Sequence, residues 1–121
     1  WGTPTVCNTL SKKHADRFSK VFGQEPNEIK IKTKTLSKIL DTHLPVDQNI
    51  DFITVDVESH SLEVLASNNW EKYKPLIVIV EIDEDDIDKI LKSKIVAFME
   101  AHEYKLCAWV GPSIFFALEK S

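Results

Sequence analysis

Apolar residues recur at helical spacing near the start of the chain. Ala15, Phe18 and Phe22 follow Ser11, a capping residue, and precede Gly23, a helix stop. The spacing predicts a helix over residues 11–22. Pro26 and Asn27 mark a loop. Ile29, Ile31 and Thr33 then alternate with Lys30, Lys32 and Lys34. That alternation predicts a half-buried strand over 29–33, with its lysines along a sheet edge. Thr35 caps a short helix carrying Leu36, Ile39 and Leu40, and residues 43–49 read as a polar loop around Pro45.

The pattern changes at residue 50. Phe52, Ile53, Val55 and Val57 make residues 50–57 apolar on both faces, as in a covered parallel strand. Residues 61–67 read as a helix with Leu62, Leu65 and Ala66 turned inward, and Trp70 and Tyr73 as packing anchors in the loop after it. The run LIVIVEI at 76–82 is the most hydrophobic in the chain and predicts a central buried strand. Ile87, Ile90, Leu91, Ile95 and Phe98 form one stripe of a long helix over 87–102. Residues 104–110 and 114–118 flank Gly111, Pro112 and Ser113, a closing antiparallel hairpin. Helices and strands therefore alternate. The expected fold is α/β: a mostly parallel sheet with right-handed crossovers, closed by the antiparallel hairpin.

Composition narrows the class. The 121 residues make one domain at most, read here as a single unit over 1–121. With 43% hydrophobic and 28% charged residues the balance is that of an ordinary globular protein. A net charge of −4 argues against a general nucleic-acid binder. No apolar run approaches the roughly 18 residues needed to span a bilayer, so no membrane partner is expected. Neither a signal peptide nor metal-ligand spacing is visible, and Cys7 and Cys107 lie far apart. Cys107 falls in an apolar strand pattern, where a buried free thiol is expected, and a cytoplasmic setting fits. The start at Trp1 reads as a processed end or a cut piece.

The chemistry gathers at strand ends. Asp56 and Glu58 follow the first buried strand, and Glu81 stands near the end of the second. Ligands of open α/β sheets bind outside the carboxyl ends of the strands, where acids can accept a proton or orient a hydroxyl. The segments IDFITVDVES, SLEVLAS and KPLIVIVE, with TPTVCNTL and IKIKTKTLSKIL before them and EYKL after, stand in one order. In that order they resemble methyltransferases of the FkbM type. The resemblance implies the C-terminal part of a Rossmann-like class I methyltransferase fold that uses S-adenosylmethionine. It also implies a small-molecule or glycan hydroxyl as acceptor. By resemblance Asp56 and Glu58 lie beside the methyl group and the acceptor, His60 is a candidate base, and Glu81 marks the same rim on the cofactor side. Ser59 stands where the family usually has glycine, a residue that permits unusual backbone angles. The glycine-rich turn that holds the cofactor in this class has no counterpart: only Gly2, Gly23 and Gly111 are present.

Plainer roles stand beside these. Asp56 and Glu58 can complement the dipole of the next helix. His60 can be a loop histidine. The run EIDEDDID at 81–88 suits the start of a helix better than a metal site. Trp109, Phe115 and Phe116 suit hairpin packing. The chain therefore reads as an enzyme piece inactive alone, as a non-catalytic interaction module on the same scaffold, or as an enzyme completed by oligomerisation. The last follows from a buried strand at 50–57 whose outer edge needs cover, expected from residues 29–33 or from the same strand of a second copy.

Overall fold

The structure is a computed structural model that describes residues 9, 11–23, 25–57 and 59–119. The chain divides into two compact units, Trp1–Thr33 and Lys34–Ser121. The first contains helix α1 (Lys12–Phe22). Ser11 caps it, its side chain accepting from the His14 N–H, and Gly23 closes it in the left-handed conformation while donating to the Ser19 carbonyl. Both ends follow the sequence reading. The strand expected at 29–33 does not form: those residues carry no regular structure and are exposed. Alternation makes a strand only where a neighbouring strand satisfies its backbone groups, and these residues pair with none of the described strands.

The second unit runs α2 (Leu36–His43), β1 (Phe52–Val55), α3 (Ser61–Ala66), β2 (Ile77–Glu81), α4 (Ile87–Leu91), α5 (Lys94–Glu100), β3 (Tyr104–Val110) and β4 (Ser113–Leu118). The four strands form one sheet in the order β1-β2-β4-β3. β1 and β2 are parallel, while β4 is antiparallel to both β2 and β3. The sheet is thus mixed, with most of its pairings antiparallel, where the sequence predicts a mostly parallel one. The reason is that the closing hairpin inserts its second strand next to β2, so one reversed strand reverses two pairings.

The two crossovers, β1 to β2 and β2 to β3, step the same way along the sheet. Crossovers of one hand stepping one way put their helices on one face. Leu65 of α3, Ile90 of α4 and Val96 and Met99 of α5 accordingly share a core with Val55, Val78, Val80, Ile114 and Phe116. Trp70 seals this core against Phe98, His102 and Tyr104 and donates its indole N–H to the Leu65 carbonyl at 2.9 Å. α2 is clipped to the segment that leads from α3 to β2. The Leu36 N–H donates to Ser67 Oγ, and Asp41 accepts from Lys72 at 2.5 Å and from the Tyr73 hydroxyl at 2.6 Å. These two donors hold the Asp41 carboxyl below its usual range.

Three further expectations change. The helix predicted over 87–102 is two helices. Ser93 caps the second, accepting from the Val96 N–H at 3.2 Å, and the break falls at Lys92 and Ser93. Of the predicted stripe only Ile90 is buried: Ile87 and Leu91 are exposed, and beyond the break Val96 and Met99 face the core while Ile95 and Phe98 are part-buried. β1 is not covered on both faces, since Phe52 is 63% exposed. Cys107 is exposed rather than buried. It sits at the register shift between Leu106 and Ala108, on the exposed side of β3 that it shares with Lys105.

Tyr104 shows how the core handles a polar group. It is 1% exposed, and its hydroxyl donates to the Pro75 carbonyl at 2.7 Å. Burial pushes its phenol above the usual range, which keeps it a donor. Replacing Tyr104→Phe leaves that carbonyl without its donor and should cost about 1–3 kcal/mol in urea unfolding. An unchanged midpoint would mean that water replaces the phenol.

Candidate functional site

The candidate site is the rim formed by the carboxyl ends of β1 and β2. Val55 lies opposite Val80 in the parallel register, so Asp56 and Glu81 come next on adjacent strands. Both are exposed. Strand pleating puts Val78 and Val80 in the core, and therefore turns Glu81, with Ile77 and Ile79, to the face away from α3 and α5. The closing hairpin completes the rim. Glu81 is opposite Ser113, and the Ile82 N–H donates to the Pro112 carbonyl at 2.8 Å.

The loop from β1 to α3 turns back over the strand ends. The His60 N–H donates to the Val57 carbonyl at 3.3 Å, and His60 then occupies the N-cap position of α3. Ser61 is the next residue. It is a buried polar residue, and its hydroxyl lies 3.5 Å from the Glu81 carbonyl that accepts from it. This contact ties the start of α3 to the end of β2, so it joins the two halves of the rim. Sequence reasoning passed over Ser61 as an ordinary helix residue; its one visible signal was a hydroxyl directly after the carboxylate loop. Of the predicted site residues, the structure brings Asp56, His60 and Glu81 to one rim, and Glu58 lies outside the described residues.

Ser59 decides how the loop turns. Its φ is 71°, in the left-handed region that a side chain disfavours. A glycine meets no such penalty, which is the backbone freedom that the FkbM resemblance places at this position.

A family model described as the methyltransferase FkbM domain matches residues 3–106. The chain belongs to the FkbM methyltransferase family. No curated protein and no solved structure matches it. The match spans the strand-end carboxylates, the left-handed turn, β1, β2 and the first residues of β3.

The acidic run beyond Glu81 serves the next helix. Asp86 caps α4 by accepting from the Asp88 N–H at 2.9 Å, and Glu84 accepts from the N–H groups of Asp85 and Asp86 and from Lys89. Trp109 closes the hairpin, its indole N–H donating to the Gly111 carbonyl at 2.6 Å. Phe116 is core, as hairpin packing requires.

Because Ser59 holds a conformation suited to glycine, Ser59→Gly should stabilise this FkbM domain. The expected gain is roughly 0.5–1 kcal/mol, after the greater chain entropy that glycine loses on folding. Thermal unfolding measures it. A lower melting temperature for the glycine variant would mean that the seryl side chain supplies a contact worth more than the strain.

Proposed function

We propose that this chain carries the acceptor-side, C-terminal part of an S-adenosylmethionine-dependent O-methyltransferase and does not transfer a methyl group by itself. The observation that carries this reading is the rim: Asp56 and Glu81 on adjacent strand ends, behind a left-handed turn, in a chain of the FkbM family. Asp56, with Glu58 and His60, would orient the hydroxyl of a small-molecule or glycan acceptor and take up its proton. Positioning of this kind supplies most of the gain in transfers between two bound partners. Glu81 stands on the side of the rim facing the methyl donor.

Among the described residues no glycine-rich turn supports a cradle for that donor. A class I cradle needs a glycine-rich turn after a strand and before a helix. Gly23 instead ends α1, and Gly111 turns the hairpin. The remaining glycine, Gly2, lies outside the described residues. The donor therefore has to be held by residues other than these. Titration calorimetry of this chain with S-adenosylhomocysteine should give no binding heat. Tight binding would refute the division of labour proposed here.

The open edge of β1 supports a second part of the reading, completion of the sheet by a second copy. β3, the other edge strand, carries Lys105 and the bulge at Cys107, both of which discourage further pairing. β1 carries neither lysine nor proline nor a bulge, and among the described strands it pairs with β2 alone. A homodimer through β1 should appear in light scattering at high concentration, and Thr54→Lys, at an exposed position on that strand, should return it to monomer. A monomer at all concentrations would remove this part of the reading.

A further inference from the structure

Helix α1 sorts its residues by chemistry. Lys12, Asp16 and Lys20 fall on one side at four-residue spacing, with Lys13 and Arg17 beside them. These five side chains line one shallow surface depression, which confirms that they share a face. His14, Phe18 and Phe22 occupy the opposite side, with Ala15 and Val21 next to them. The Phe18 and Phe22 rings stack at 6.0 Å. None of the helix is buried: Val21 is 66% and Phe22 53% exposed.

We propose that α1 lies on an anionic lipid surface and holds the chain there. An interfacial helix combines a basic polar face, bulky apolar residues on the other side and a low overall hydrophobicity. α1 has four cations against one acid on its polar face. Lys12 and Arg17 flank the apolar arc on its two sides, where long basic side chains reach back from buried stems to phosphate. At roughly 16 Å this helix cannot span a bilayer, and it needs only to lie in the headgroup region. No helix among the described residues is long and apolar enough to cross a membrane, and a peripheral seat of this kind departs from the expectation of no membrane partner.

Charge along the chain favours the same surface. Residues 1–33 hold six Lys and Arg against three Asp and Glu, and residues 34–121 hold nine against sixteen. A chain with a net charge of −4 therefore keeps its positive excess in the unit that contains α1. The same unit exposes Ile29 and Ile31, on either side of Lys30. A protein seated on the apolar side of α1 leaves Lys13 and Lys20 facing water. A charged bilayer attracts them as well, because its surface potential acts over a Debye length.

Flotation of the full chain with vesicles tests this. Binding is expected to phosphatidylcholine vesicles containing phosphatidylglycerol, and none to phosphatidylcholine alone. Each of Lys12→Gln, Lys13→Gln and Lys20→Gln should weaken binding roughly fivefold. Phe18→Ser with Phe22→Ser should abolish it. These positions are outside the core, so the far-ultraviolet dichroism of every variant should match the parent. No flotation with the anionic vesicles overturns the proposal. So does binding that survives loss of both phenylalanines, which would mark α1 as a general ligand for acidic surfaces, proteins included.

Discussion

A buried strand makes two demands: partners for both of its edges and apolar cover for both of its faces. β2 meets the first in full, with β1 on one side and β4 on the other. Its core side, Val78 and Val80, is closed by α3, α4 and α5. Its other side, Ile77 and Ile79, is only part-buried, and no helix from either crossover lies over it. The rest of the second unit follows from that imbalance. Two crossovers stepping one way cannot cover two faces. The site carboxylates inherit the consequence, because the pleat turns Glu81 to the less covered side.

The same geometry explains why the site is an open rim and not a closed pocket. Catalytic carboxylates work best where water is excluded and neighbouring dipoles are fixed. Here Asp56 and Glu81 are both exposed, while the hydroxyl of Ser61, beside them in space, is buried. The scaffold under the acids is therefore firm and the space above them open. That combination fits one wall of a site better than a whole site.

Much of the fold was legible because local signals and tertiary contacts agreed. Ser11 and Gly23 mark α1 at both ends, Thr35 starts α2, and the β-branched run at 76–82 becomes β2. The failures have physical causes of three kinds. Residues 29–33 have the alternation of a strand, but a strand needs a neighbour that no local pattern reveals. Ser93 breaks a helix whose apolar residues continue past it, and beyond the break Val96 and Met99 face the core in place of the expected Ile95 and Phe98. Cys107 lies in an apolar run, but it falls on the side of β3 shared with exposed Lys105, and which side of a strand is covered depends on what packs against the sheet. In the site, Asp56 and Glu81 could be read from strand ends. Ser61 could not, because its role comes from a contact with a carbonyl 20 residues away.

Ser59 links these levels in a single residue. A left-handed seryl residue costs stability, and structures keep such strain where the surroundings demand the turn. What demands it here is short-range. His60 must bond back to Val57 so that α3 can begin at once, and Ser61 must arrive buried beneath the end of β2. The strained turn, the buried hydroxyl and the paired strand ends thus form one device. Its effect is to keep His60 and the start of α3 beside the strand ends that carry Asp56 and Glu81.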